Sequence, residues 1–192
     1  MNKLDNKLRI IGGKWRSRKV TFADSPDIRP SSDRIRETLF NWLQPHLADA
    51  ATLELYAGSG VLSLEALSRG AKHATLVEKD AATARHLLTE FNKFADEADY
   101  KILTGDAREF IATANNSYDL IFLDPPFQSG ELAMVGSDAA ALLNPQGMMY
   151  LESSEPAGGL MPAGMEAVRQ GKAGAVHYAL LKKCALLKKL DS

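Results

Sequence analysis

The sequence predicts an α/β protein built on a mostly parallel sheet with helices on both faces and a small N-terminal extension. Three observations carry that expectation. From residue 51 onward, short apolar runs alternate with stretches of helical periodicity, the pattern of parallel strands joined by crossover helices. Glu54 with Gly58, Glu78, Asp106 and Asp124 fall where four of those runs end, so groups suited to ligand contact collect at the carboxyl edge of the sheet. Past residue 160, Gly171 and Gly174 separate two further extended runs that read as a closing antiparallel hairpin.

Taken in order, Leu8 to Ile11 and Lys19 to Phe22 bracket Gly12 and Gly13 and predict a small hairpin or extended arm. Pro26 and Pro30 then break the chain. Ser31, Ser32 and Asp33 offer an N-cap to a helix in which Ile35, Leu39 and Leu43 recur at four-residue spacing until Pro45 stops it. Residues 1–48 thus form an extension of the domain built by 49–192. Within that domain strands are expected at about 52–57, 74–79, 100–104, 118–123 and 147–152, and the hairpin at 165–170 and 175–183 makes seven. Helix 61–69, with Val61, Leu62, Leu64 and Leu67, is apolar nearly all round. Helix 81–95 shows one apolar face through Ala84, Leu87, Leu88 and Phe91. No internal repeat, low-complexity tract or interdomain linker interrupts this pattern.

Composition narrows the setting. The chain has 192 residues, 45% of them apolar, with 23 Lys and Arg against 24 Asp and Glu. No apolar run approaches the roughly 20 residues of a membrane helix, and the first 19 residues carry seven basic groups without an apolar core, so a cytoplasmic protein is expected. The lone Cys184 and four scattered histidines (His46, His73, His86 and His177) predict neither a disulfide framework nor a metal site. Charge is unevenly spread: residues 1–47 hold ten Lys and Arg against five Asp and Glu. Lys14, Trp15, Arg16, Arg18 and Lys19 crowd behind the glycine pair, a grouping that suits a polyanion such as RNA, with Trp15 as a stacking platform. The other reading is a solvated basic arm with Trp15 packed on the body.

The first strand ends in Glu54-Leu55-Tyr56-Ala57-Gly58-Ser59-Gly60 and a helix follows at once, the arrangement of a nucleotide pocket. Ser63 stands where a dinucleotide fingerprint would place a third glycine. Glu78 ends the next strand 18 residues after Gly60, where an acid can accept both ribose hydroxyls. Asp106 follows the third strand and suits either an adenine amino group or the N-cap of a helix over 107–114. Asp124-Pro125-Pro126-Phe127 follows the fourth. A carboxylate, a rigid outward carbonyl and an aromatic ring together can hold a planar base by its exocyclic amine.

These segments resemble, in order and spacing, the motifs of Rossmann-like S-adenosylmethionine-dependent methyltransferases, and the Asp-Pro-Pro-Phe form is that of enzymes acting on exocyclic amino nitrogens. The segments Ile10-Ile-Gly-Gly-Lys-Trp-Arg16 and Arg29-Pro-Ser-Ser-Asp-Arg-Ile-Arg-Glu-Thr-Leu-Phe-Asn-Trp-Leu43 are similar to those of the RsmD family, bacterial 16S rRNA guanine-N2 methyltransferases. Tyr56 stands where an aromatic, often Phe, is usual, and Ser63 replaces a common glycine. The resemblance implies a seven-stranded methyltransferase fold with S-adenosylmethionine bound by Glu54, Ala57, Gly58, Ser59, Gly60, Glu78, Asp106, Ala107 and Asp124, and S-adenosylhomocysteine as product. It implies Asp124, Pro125 and Phe127 as the catalytic group, no metal, and guanine 966 of the small-subunit rRNA as target, met within the 30S subunit or an assembly intermediate. A monomer is the default. A nicotinamide-dependent dehydrogenase shares the glycine turn and ribose acid but leaves Asp-Pro-Pro-Phe unexplained. A non-catalytic RNA-binding module that keeps the fold and a DNA adenine-N6 methyltransferase are also compatible with the motifs from residue 54 onward. Arg34, Arg36 and the lysines at 182, 183, 188 and 189 are open between substrate contact and solvated charge.

Overall fold

Residues 6–25, 28, 30–126, 131–156 and 161–184 are described by the structure, a computed structural model. The chain divides into two compact units, Met1–Ala107 and Arg108–Ser192.

In the first unit β1 (Lys7–Arg9) and β2 (Lys19–Thr21) pair antiparallel, as the glycine-centred arm predicts. Helix α1 (Asp33–Leu43) starts at Ser32, whose hydroxyl accepts from the Ile35 amide at 3.3 Å, and Pro45 sits in the short turn that ends it. Strands β3 (Ala51–Leu55), β4 (His73–Glu78) and β5 (Tyr100–Thr104) are parallel in the order β5-β4-β3. Between them run α2 (Val61–Ser68), buried along its whole length, and α3 (Ala81–Phe91), capped by Asp80 through the Thr83 amide at 2.7 Å. Two predicted boundaries move for local reasons. The first parallel strand stops at Leu55 because Tyr56 takes a left-handed φ of 59°, and α3 stops at Phe91, short of residue 95, in a turn closed by Phe94 N donating to Phe91 O at 2.9 Å. Leu88, assigned to the apolar face, is 46% exposed because it lies about 100° round the helix from Leu87. The core joins arm and sheet: Ile10, Trp15 and Val20 pack with Leu64, Leu67, Leu76, Leu87, Phe91 and Tyr100.

In the second unit α4 (Ala107–Thr113) leads to β6 (Tyr118–Leu123), α5 (Glu131–Ala141), β7 (Leu143–Ser153), β8 (Met165–Ala173) and β9 (Val176–Lys183). Strand β6 runs parallel to β7, reaching the register Leu123↔Leu151, and β9 lies antiparallel between β7 and β8. Strand β7 begins at Leu143, four residues before its expected start. The hairpin turns at Gly174, with φ 60°, but Gly171 lies inside β8. A Cβ there would stand 2.3 Å from the Tyr178 ring, so this glycine makes room for a cross-strand tyrosine and does not end a strand. Strands β3 to β9 are the seven, mostly parallel with a terminal antiparallel pair, that the sequence predicts. Among the described residues no helix is long and apolar enough to cross a membrane.

Candidate functional site

The exit from β3 is a turn of left-handed backbone: Tyr56, Gly58 and Gly60 take φ of 59°, 49° and 64°. Glycine adopts this region freely, whereas Tyr56 is strained by about 1–2 kcal/mol, a feature that concentrates at functional sites. The two glycines serve different ends. A Cβ on Gly60 would meet Leu87 at 2.7 Å and Phe91 at 2.9 Å, so the close approach of α3 excludes one. On Gly58 a Cβ would meet Ile28 and Tyr56 O at 3.8 Å, ordinary contact, so it is the left-handed backbone and not crowding that calls for glycine there. Backbone bonds from Ala57 N to Val77 O (3.0 Å) and from Gly60 N to Ala57 O (2.7 Å) hold the turn against β4, and Ser59 Oγ accepts from Val61 N at 3.4 Å.

Two glutamates support it. Glu78, the last residue of β4, accepts from Gly58 N at 2.9 Å and from Asp80 N at 2.8 Å, so its carboxylate is aimed at the turn. Glu54 in β3 is 4% exposed and accepts from Ser63 N at 2.9 Å, in the first turn of α2. Burial pushes its pKa up to about 7; the Ser63 hydroxyl and amide pull the other way, and the charge of Glu78 adds to the rise. At the exit of β5, Gly105 N donates to Glu78 O at 3.0 Å, Asp106 pairs with Lys79 at 3.0 Å, and Ala107 opens α4. The structure therefore gathers Glu54, Ala57, Gly58, Ser59, Gly60 and Glu78 about one turn, with Asp106 and Ala107 at the next strand exit. A glycine turn flanked by carboxylates has the chemistry to take a nucleoside, whose hydroxyls and amine are donors. Among the described residues no group of three His, Cys, Asp or Glu is placed to hold a metal ion.

In the second unit, Asp124, Pro125 and Pro126 leave the end of β6 half-buried, buried and exposed respectively. Phe127 lies outside the described residues. Residues two apart on a strand share a face. Phe122 pairs with Tyr150, their rings 6.5 Å apart, and Tyr150 and Glu152 pair with Leu180 and Tyr178. Continuing that alternation past β6 puts Asp124 in one row with Glu152 and Tyr178. The Tyr150 hydroxyl donates to Glu152 Oε1 at 2.8 Å, both groups buried. Burial and the carboxylates of Glu152 and Asp124 hold the phenol well above its ordinary pKa, so it remains a donor. Sequence reasoning missed Glu152, although an acid closing an apolar run is the same signal that marks Glu78.

The basic arm is half fastener and half surface. Ser68 Oγ accepts from Trp15 N at 2.9 Å and donates to Gly12 O at 2.6 Å. Glu65, with no exposure, accepts from Ile11 N and from Gly12 N (3.3 Å) and pairs with Arg36 at 3.0 Å and Arg69 at 3.1 Å. A Cβ on Gly13, where φ is 74°, would lie 1.9 Å from Ser68 O. Trp15 is 6% exposed, edge-on to Phe94 at 5.6 Å, with the Lys14 ammonium 4.5 Å above its ring. Its expected role as a stacking platform is thereby corrected: a buried indole offers no face to a base. Arg36 is likewise not surface charge, since its guanidinium also bonds Ser31 O at 3.2 Å, Arg9 O at 3.0 Å and Asp33. The signal was present in its spacing, four residues before the buried Phe40. Lys14, Arg16, Arg18 and Lys19 are exposed, with Arg18 anchored on Lys93 O at 2.8 Å and over the Phe94 ring at 4.1 Å.

Known proteins resemble this chain over most of its length. The family described as conserved hypothetical protein 95 matches residues 8–182. Ribosomal RNA small subunit methyltransferase D of Escherichia coli K12 is 40% identical over 185 residues, 92% of this chain and 90% of that protein. The protein of the same name from Haemophilus influenzae is 32% identical over 183 residues, 91% of this chain and 93% of that one. The solved structure of the yhhF protein of Escherichia coli superposes with a TM-score of 0.82 at 37% identity, covering 92% of this chain and 98% of that one.

Proposed function

The chain belongs to the RsmD family, and from that premise we propose that it methylates the exocyclic N2 amine of a guanine in 16S rRNA, with guanine 966 as the family target, using S-adenosylmethionine. The observation that carries the reading is Asp124-Pro125 at the end of β6: a half-buried carboxylate beside a carbonyl fixed by two prolines. An exocyclic amine is a poor nucleophile because its lone pair is delocalised into the ring. Two acceptors on its hydrogens favour the geometry in which that pair points outward. Bound by the Gly58–Gly60 turn and Glu78, S-adenosylmethionine would supply an electrophilic sulfonium methyl, whose carbon–sulfur bond would break with its electron pair left on sulfur as N2 gained the carbon. Asp124 takes the proton that N2 sheds, directly or by way of water. Positioning supplies most of the acceleration.

The turn at Gly58 suits the cofactor. Its backbone lies against the methionine part, Glu78 accepts the ribose hydroxyls, and Asp106 with the Ala107 amide meets the adenine edge. Lys14, Arg16, Arg18 and Lys19 contact phosphates, and the target base leaves its stack, most cheaply from a loop. The substrate is RNA of the 30S subunit or an assembly intermediate, met in the cytoplasm by a monomer.

The test is transfer of labelled methyl from S-adenosylmethionine to small subunits and, separately, to naked rRNA, both from cells lacking this gene. Asp124→Ala is expected to lower turnover about 100- to 1,000-fold, the scale of one positioned hydrogen-bonding group, with S-adenosylhomocysteine affinity within a few-fold. Wild-type turnover in that variant would remove Asp124 from the mechanism.

A further inference from the structure

Asp-Pro-Pro explains the grip on an exocyclic amine but not the choice of base. Guanine N2 and adenine N6 are both such amines, and Asp124 with the Pro125 carbonyl offers each the same two acceptors. What separates the bases is the ring nitrogen beside the amine: N1 of guanine carries a hydrogen, and N1 of adenine carries a lone pair. A protein telling them apart needs an acceptor next to the one that holds the amine.

The second unit has one. Leu123 opposite Leu151 is the last parallel pair of β6 and β7; Asp124 follows the end of β6, Glu152 continues within β7, and both carboxylates act on the Tyr150 phenol. Strands in a sheet lie about 4.8 Å apart, which suits two adjacent donors on one base edge. The Tyr150 hydroxyl, 2.8 Å from Glu152 Oε1, fixes the plane of the carboxylate from beneath, and Tyr178 flanks it from β9. At 3% exposure this acid stands in a poorly solvated place, where a mismatched lone pair is rejected more strongly than in water.

We propose that Glu152 is the residue that specifies guanine, accepting from N1–H while Asp124 and the Pro125 carbonyl hold the N2 amine. This rests on the guanine-N2 reading above and extends it to base selection. Adenine would turn the lone pair of N1 toward the carboxylate, so the row of Asp124 and Glu152 admits one purine and repels the other.

The test uses the full chain and a short synthetic RNA loop bearing at the target either guanine or 2,6-diaminopurine, which keeps the N2 amine but has a lone pair on N1. Wild-type protein is expected to prefer guanine by about 100-fold or more in kcat/KM, the scale of a lost hydrogen bond to a buried charge. Glu152→Gln keeps an oxygen for the Tyr150 hydroxyl and presents an amide donor in place of the other acceptor. It is expected to lose most of the guanine rate and gain on diaminopurine, narrowing or inverting the preference, with S-adenosylhomocysteine affinity unchanged. A purely structural role would lower both rates together, so an unchanged preference in a folded Glu152→Gln protein overturns the inference. Equal wild-type rates on the two bases overturn it without any variant. A wild-type protein that binds cofactor yet transfers methyl to no guanine N2 overturns the guanine-N2 reading itself, a separate result.

Discussion

The two ends of α2 meet two buried glutamates in opposite conditions. At its start lies Glu54, which receives the Ser63 amide and whose charged neighbour is another acid, Glu78. Toward its end lies Glu65, enclosed by two guanidinium groups and two backbone amides. The glycines beside them divide the same way. At Gly13 a Cβ would stand 1.9 Å from the Ser68 carbonyl and at Gly12 2.4 Å from the Arg69 guanidinium, whereas at Gly58 it would make only ordinary contact, with Ile28 at 3.8 Å. Where the chain supplies every partner, a motif fastens one element to another. Where a buried acid has polar and acidic neighbours, as Glu54 has, the ammonium and sulfonium of the proposed cofactor would supply positive charge.

The largest effect should follow from emptying the compensated end. Glu65→Ala would leave the fully buried Arg36 guanidinium with Asp33 as its remaining acid and would release the amides of Ile11 and Gly12. Removing one partner of a buried pair costs about 3–5 kcal/mol, so urea unfolding should show a loss of that order. A loss below about 1 kcal/mol, the size of a single surface pair, would break the distinction between the two ends.

The uncompensated end should instead respond to pH. Glu54 has a folded-state pKa of about 7 against 4.5 for the free side chain, so between those values the folded protein binds the extra proton. Stability of the cofactor-free protein should therefore be highest below pH 4.5 as far as this group is concerned and fall as pH rises to about 7, by about 3 kcal/mol in all. Glu54→Gln should flatten that slope. Cofactor affinity should run the opposite way, strengthening through neutral pH as the carboxylate ionises, and calorimetric titration with S-adenosylhomocysteine at pH 6 and 8 would show it. Identical pH profiles for wild type and Glu54→Gln would show that the acid is as well compensated as Glu65.

The difference between the two ends also decides what the sequence could reveal. Alternation of apolar runs with helical stretches locates β3 through β7, because burial on both faces of parallel strands imposes it, while the antiparallel β8 and β9 show only through the glycines near their turn. The acids at strand exits were legible because position after a strand is itself the signal. The fastening of the arm was not. Glu65 sits in an otherwise apolar helix and Arg36 in an amphipathic one, and nothing in either segment says that they meet across 29 positions. The same blindness gave Trp15 a role in stacking: cations crowd around it in sequence, but its ring turns inward onto Phe94. Composition locates a charged surface, while the direction of one side chain within it depends on tertiary contacts.

The exposed cations of the arm offer the smallest change in stability, and set beside Trp15 they give the finest division between fastener and surface. Lys14, Arg16 and Lys19 are exposed, so replacing all three with Ala should leave the unfolding midpoint and the S-adenosylhomocysteine affinity where they are. The RNA KM should rise, and the slope of log KM against log salt should fall by about 2, since each lost phosphate contact on single-stranded RNA removes about 0.7. Trp15→Ala should do the reverse: a loss of about 3–5 kcal/mol from an emptied core site, with the salt slope retained in whatever protein remains folded. A triple variant with wild-type KM at every salt concentration would reduce the arm to a packing element. A Trp15 variant that is stable but weak for RNA would return the indole to the binding surface, against its burial. All four positions fall between Lys14 and Lys19, so opposite outcomes would show that one short segment carries both halves of the comparison.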